Sequence, residues 1–104
     1  MTDGRKDDSE KPSPFRGVVQ AFPRALDAVA TVASFGARKY EWDNWKEVDQ
    51  GYIRYSDAMM RHLLSEASGK PLDDESGELH AVHVAWNALA RLELLLAETE
   101  KVEF

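Results

Sequence analysis

Residues 79–96 read LHAVHVAWNALARLELLL, an apolar run with room for about five helical turns. His80, His83, Asn87 and Arg91 recur in it at i, i+3, i+7 and i+11. At about 100° per residue these four fall within an arc of roughly 80°. Val82, Ala85, Leu89, Leu92 and Leu96 fill the opposite side. Burying imidazole, amide and guanidinium groups costs a few kcal/mol each unless each finds a partner. A helix with one polar seam in an apolar surface therefore faces a polar site or runs along an exposed edge.

Working outward, residues 52–68 are expected to form a second helix. Ile53, Met60, Leu63, Leu64 and Ala67 share one arc, and Asp57, Arg61, His62, Ser65 and Glu66 the rest. Gly69 and Pro71 supply its stop. The linker KPLDDESGE (70–78) is acidic and turn-like. Upstream, Pro23 suits a first helical turn, and Leu26, Val29, Ala30 and Ala33 keep helical spacing up to Gly36, a plausible breaker. This predicts a first helix over 23–35 and a long aromatic loop, GARKYEWDNWKEVDQG (36–51). Loops of that length in a small domain are functional or flexible, and the tryptophans argue against simple flexibility. Residues 14–22 read as an extended or irregular lead-in, and residues 1–13 as a disordered or loosely docked arm. The polar ending is expected to fray. No strand pattern or repeat is visible, so residues 14–104 are expected to form a single all-α domain, a small bundle of three main helices.

The chain has 104 residues, 43% of them hydrophobic, with a net charge of −6 and no cysteine. It holds a modest core, and a helical chain of this size gains burial by pairing with copies of itself. The missing cysteines exclude a disulfide scaffold, a zinc ribbon and a thiol nucleophile. The basic residues are scattered and outnumbered, so direct nucleic-acid binding is not expected. No spanning segment or signal-like apolar region is present, and a cytoplasmic location without membrane attachment is expected. An acidic protein still binds polyanionic nucleotides when a divalent metal bridges the two.

All three histidines lie on the second and third helices. His62 and Glu66 are one turn apart, and His80 and His83 share the seam. Two antiparallel helices joined by a short loop can bring these pairs face to face. Imidazole and carboxylate together are common transition-metal ligands, and carboxylate oxygens suit magnesium. The alternative is that the histidines are satisfied polar residues at a helix interface. Asp73 and Asp74 are explained by their place before a helix N-terminus, where negative charge is favoured. Glu75 and Glu78 stay open as metal ligands, and Ser76 and Glu78 as helix-start residues. Asp57 and Arg61, spaced i, i+4, form either a surface pair worth under about 1 kcal/mol or a phosphate grip, since the arginine fork matches phosphate oxygens. Arg38 and Lys39 could neutralise phosphates. Tyr40, Trp42 or Trp45 could stack on a base, and Asn44 could read a base edge or a sugar hydroxyl. Against this stands an aromatic cluster pinning the loop, the favoured reading for Trp42. No glycine-rich phosphate loop or nucleophile elbow is present, which leaves metal-activated water as the expected nucleophile.

The string FGARKY (35–40), then Asn44-Trp45, then Y-x-D-A-x-x-R-H-L-L (55–64) and D-x-E-S-G-x-x-H-x-x-H-x-x-x-N (73–87) resembles a family of small phage proteins. These are described as dATP/dGTP diphosphohydrolase N-terminal domains and are linked to the MazG-like all-α NTP pyrophosphohydrolases. The resemblance covers roughly residues 22–96. It implies a MazG-like helical bundle completed by oligomerisation into a dimer or tetramer. It also implies Mg²⁺- or Mn²⁺-dependent hydrolysis of a purine deoxynucleoside triphosphate to monophosphate and pyrophosphate, serving nucleotide-pool control in the host cytoplasm. MazG-like enzymes hold metal with E-x-x-E on one helix and E-x-x-D on the next. The nearest equivalents by position here are His62 with Glu66 and His80 with His83, which leaves room for Mn²⁺ or an HD-like site.

Both lines converge on one expected mechanism. His62, Glu66, His80 and His83 hold one or two divalent ions. Glu66, His62 and Arg61 carry catalysis, and Arg61 and Lys39 bind phosphate oxygens. Asn87 holds a ligand or a phosphate oxygen. Tyr40, Asn44 and Trp45 form the nucleoside wall. Two rivals stand beside it. One is an HD-type nucleotide phosphohydrolase, although the chain has no His-Asp dipeptide. The other is a non-catalytic phage interaction domain in which His80 and Asn87 set helix register.

Overall fold

The computed structural model describes residues 9–100. The expected arm therefore lies mostly outside the described residues, as does the end of the tail. Three helices carry the chain: α1 (Pro23–Tyr40), α2 (Gly51–Ala67) and α3 (His80–Glu100). A single π-helical turn, Phe15–Val19, takes the place of the expected extended or irregular lead-in. Among the described residues there is no strand, only an isolated bridge between Leu72 and Leu79. The domain is all-α. No helix among the described residues is long and apolar enough to cross a membrane.

α1 corrects the sequence reading. Pro23 opens it at the first turn, where a missing N–H leaves no bond unmade. Gly36 does not end it: the helix continues to Tyr40. An interior glycine costs only about 1 kcal/mol relative to alanine, and Arg38 and Lys39 in the last turn oppose the C-terminal dipole. The helix stops at Glu41, which takes φ 72° while its N–H still donates to the Ala37 carbonyl at 2.7 Å. The loop thus shrinks to residues 41–50, and its middle is a 3₁₀ turn, Asn44–Glu47.

α2 and α3 run antiparallel. His62 near the end of α2 meets His80 at the start of α3, while Ser56 and Tyr52 meet Arg91 further along. At Gly51 the helices come so close that an added Cβ would stand 3.0 Å from the Leu94 side chain. α2 ends in a Schellman motif: Gly69 at φ 90° donates to the Glu66 carbonyl and Lys70 to that of Ser65. The linker then folds on itself. The N–H of Asp73 donates to the Glu78 carbonyl, Gly77 (φ 75°) to Asp73, and His80 to Pro71.

The packing of α3 inverts the usual arrangement. Its polar seam faces inward, with His80 only 7% and Asn87 only 5% exposed. Its leucine side faces outward, with Leu89, Leu92 and Leu96 each about half exposed. Among the described residues the buried hydrophobic ones are Val32 of α1 and Ala90 of α3. Helix three is therefore organised around a polar site.

Candidate functional site

The polar seam closes on an imidazole cluster. His62 Nδ1 and His80 Nδ1 lie 2.8 Å apart. The His62 ring stacks on His83, 8° from parallel with centroids 4.5 Å apart. The folded linker brings Asp73 to the same place. Its Oδ2 accepts from the Ser76 N–H at 2.8 Å and from Ser76 Oγ at 2.9 Å, and Ser76 Oγ is 2.7 Å from His83 Nε2. His83 Nε2 and Asp73 Oδ2 are 3.6 Å apart. His62, Asp73 and His80 each offer a ligand atom, all within 4.8 Å of one another. Two imidazoles and a carboxylate converging from α2, the linker and α3 can hold a divalent cation.

The electrostatics suit that role. Burial, together with the charge of its neighbour His83, pushes the His62 pKa down. Burial likewise lowers that of His83, against the opposing pull of Asp73. Both rings are thus held neutral, the form that ligates metals. Burial alone would raise the Asp73 pKa, but the two Ser76 hydrogen bonds and the neighbouring histidines outweigh it and keep the carboxylate ionised.

Beside the cluster opens a cavity of about 700 Å³, walled by α1, residues 41–48, α2 and the start of α3. That volume falls in the range of small-molecule sites, about 300–1,000 Å³. Tyr40, Trp42, Asn44 and Trp45 line one side; Arg54, Asp57 and Arg61 line another; His83 and Asn87 join the cavity to the imidazoles. Its floor is an aromatic triad. Trp45, Tyr55 and Trp86 meet edge to face at 5.6–6.2 Å, and Tyr55 donates its hydroxyl proton to the Trp45 carbonyl at 2.7 Å. The loop above it holds Glu41, Asp43 and Gln50 at positive φ. Such conformations cost non-glycine residues of order 1 kcal/mol or more and concentrate at ligand sites.

The structure brings most of the sequence candidates together. His62, His80 and His83 form the cluster. Arg61, Tyr40, Asn44, Trp45 and Asn87 line the cavity beside it. Asp57 and Arg61 both face the cavity without pairing to each other. Asn87 Nδ2 donates to the His83 carbonyl at 2.8 Å. Trp45 is packed in the triad, whereas Trp42, read as the packing residue, is 67% exposed. Two candidates sit elsewhere. Glu66 is exposed, and its carboxylate is not among the converging ligand atoms. Lys39 forms an ion pair with Glu75 and lies over the Tyr40 ring. Arg91, the last seam residue, donates to Ser56 Oγ and the Tyr52 hydroxyl, tying α3 to α2. Sequence reasoning gave Asp73 no site role. The signal was its spacing to Ser76, which suits a side-chain-to-backbone turn that aims the carboxylate back at α2.

Comparison with known proteins gives two findings. The family described as "dATP/dGTP diphosphohydrolase, N-terminal" matches residues 1–103. A protein of Salmonella phage PMBT28 named dATP/dGTP diphosphohydrolase is 38% identical over 63 residues, 61% of this chain. That aligned stretch spans about a fifth (21%) of the relative's length. No solved structure matches.

Proposed function

The chain belongs to the dATP/dGTP diphosphohydrolase N-terminal domain family, and from that premise we propose that it binds a purine deoxynucleoside triphosphate and releases the monophosphate and pyrophosphate. The observation that carries this reading is the shared wall: one cavity is lined both by aromatic side chains and by Arg61 and His83. A purine would stack against Tyr40 and Trp42 above the Trp45 triad, within reach of the Asn44 amide. The triphosphate would extend toward Arg61, whose fork pairs with phosphate oxygens. Arg54, on the same helix, stands ready to share that charge.

The chain's net charge is −6, so a polyanionic substrate needs cationic help, and the imidazole cluster would hold a divalent cation for it. When bound, that cation supplies charge neutralisation and activation of water. His83, neutral and hydrogen-bonded through Ser76 to Asp73, is placed to keep its orientation beside the phosphates. Asn87 fixes the backbone of His83 and would offer its amide oxygen to the site. Lys39 stands next to Tyr40 in an ion pair with Glu75, and an arriving phosphate would compete with Glu75 for it.

Oligomerisation belongs to the same reading. The outward leucine side of α3 and the stripe Ile53, Met60 and Leu64 of α2, each more than half exposed, would be covered by a second copy of the chain.

The test is to incubate the protein with each deoxynucleoside triphosphate and Mn²⁺ or Mg²⁺, and to identify products by phosphorus NMR. Monophosphate with pyrophosphate is expected, fastest from dATP or dGTP. Inorganic phosphate or triphosphate as product would favour an HD-type reaction. Tight nucleotide binding without turnover would reduce the domain to a nucleotide-binding module.

A further inference from the structure

We infer that His62 Nδ1, His80 Nδ1 and a carboxylate oxygen of Asp73 form a metal centre that takes an imidazole-seeking transition ion in preference to Mg²⁺. Ser76 and His83 are its outer hydrogen-bonded support. This deepens the nucleotide reading by naming the donor set and the ion class, but its test needs no nucleotide.

The spacing suits a chelate. Nitrogens bind such ions at about 2.0–2.1 Å, so two of them at right angles on one ion stand about 3 Å apart. The observed Nδ1–Nδ1 separation is 2.8 Å. The third donor comes from a different segment and completes a triangle no more than 4.8 Å on a side. His80 is almost fully buried and His62 and Asp73 are half-buried, so the donors are held by packing rather than waving at the surface. The set is rich in nitrogen. Mg²⁺ demands oxygen ligands in near-ideal octahedral geometry and keeps several of its waters, whereas imidazole suits zinc, iron, nickel and copper.

The protons of the support fix which atoms have lone pairs. Ser76 Oγ donates to Asp73 Oδ2, so the short contact between Ser76 Oγ and His83 Nε2 is made by an Nε2–H donating to Oγ. Both Ser76 bonds fall on Oδ2, leaving Asp73 Oδ1 without a hydrogen bond from the described residues. Without an ion, one of the facing Nδ1 atoms of His62 and His80 carries a proton and donates to the other. Holding an ion through both Nδ1 atoms would require that proton to sit on Nε2 of the same ring, leaving both Nδ1 lone pairs for the ion.

The experiment is a Co²⁺ titration of the full chain followed by its visible absorption, with an electron spin-echo measurement on the Mn²⁺-loaded protein. One saturable Co²⁺ site is expected, undisturbed by a large excess of Mg²⁺, together with nitrogen coupling to Mn²⁺. Asp73→Asn keeps the oxygen that Ser76 bonds to, so it preserves the linker. It should weaken Co²⁺ binding by more than the roughly 10- to 100-fold that loss of an outer partner costs. Asp74→Asn, one residue along in the same acidic run, should bind Co²⁺ like the native chain. Displacement by Mg²⁺ at matched concentration overturns the inference. So does equal weakening by Asp74→Asn, native affinity in Asp73→Asn, or Mn²⁺ bound without nitrogen coupling. The nitrogen signal is read in the native chain and stands even if a variant fails to fold. Co²⁺ binding without turnover of any nucleotide would sink the hydrolase and leave the metal centre. Turnover with Mg²⁺ and no Co²⁺ site would do the reverse.

Discussion

His62 and His83 stack face to face, 4.5 Å between ring centroids and 8° from parallel, although they come from different helices. Two imidazolium rings cannot share that arrangement without repulsion, and burial lowers the pKa of both. Each folded-state pKa lies below the ordinary imidazole value of about 6.5. The unfolded chain therefore takes up protons first as pH falls, and stability rises with pH across the window. The two rings contribute stability that is present above about pH 6.5 and lost as pH drops through their lowered values. Urea unfolding of the metal-free chain should show this loss on acidification, and His83→Gln should flatten it. Stability that grew on acidification would mean the rings fold in charged form. Asp73 has a lowered pKa too, so its contribution disappears only in the separate, more acidic carboxylate range.

Ser76 connects Asp73 to His83 through one hydroxyl. Ser76→Ala deletes both side-chain links and the bond that Oγ accepts from the Glu78 N–H at 3.2 Å, but keeps the backbone N–H bond to Asp73. A net loss of about 1 kcal/mol in stability follows from the ordinary worth of a hydrogen bond. Metal affinity should fall about 10- to 100-fold, as for other outer partners of metal ligands. Thermal melts with and without Mn²⁺ measure both, since the ion-induced rise in melting temperature scales with affinity. An undiminished rise in the variant would show that Ser76 supports nothing at the site.

The cavity floor depends on the triad. Tyr55→Phe removes the bond to the Trp45 carbonyl and should cost about 1 kcal/mol. Trp86→Ala removes the ring that meets both Trp45 and Tyr55 and should cost about 3 kcal/mol, the low end for such truncations, since Trp86 is only half-buried. Denaturant melts give both values. Because the Tyr55 bond reaches the 3₁₀ turn beneath Asn44, Tyr55→Phe should also weaken nucleotide binding. Unchanged binding would detach the loop from the ligand.

What the sequence made legible was the part governed by periodicity. Three helices, the seam of His80, His83 and Asn87, and the facing of His62 toward His80 all follow from angular spacing and one short linker. What it hid was governed by local energetics or by folding back in space. Gly36 looks like a stop because glycine disfavours helix, but its penalty is small beside a helix's worth of hydrogen bonds. Glu66 looked like the partner of His62 because it lies one turn on, yet the 40° between them leaves it outside the α2–α3 interface. Asp73 had a sufficient explanation as a charge before a helix, and only the Gly77 turn and the Ser76 bonds reveal where its carboxylate goes. Angular spacing put Leu89, Leu92 and Leu96 opposite the seam but did not say that this side would stand about half exposed.

Arg61 is exposed on α2 and lines the cavity, so replacing it should leave the fold intact. Arg61→Ala should weaken triphosphate binding about 10- to 100-fold, the equivalent of a charge-assisted hydrogen bond. Arg61→Lys should restore charge but not the two-pronged contact, and recover only part of the loss. Calorimetric titration with dGTP, beside deoxyguanosine alone, separates the effects. A loss that is equal for nucleoside and nucleotide would place Arg61 at the base and not at the phosphates.

Leu89, Leu92 and Leu96 recur at i, i+3 and i+7, each about half exposed, and Ile53, Met60 and Leu64 make a second stripe on α2, each 53–67% exposed. Monomers rarely leave contiguous apolar patches of more than a few hundred Å². A helix face with i, i+3, i+7 leucines is self-complementary about a two-fold axis. A dimer or larger assembly is therefore expected by light scattering at micromolar concentration. The double variant Leu89→Glu with Leu92→Glu should be monomeric, because two buried carboxylates per chain would cost more than the interface returns. The native melting temperature should rise with protein concentration and that of the variant should not. A native chain that scatters as a monomer throughout would leave this face without a partner of its own kind.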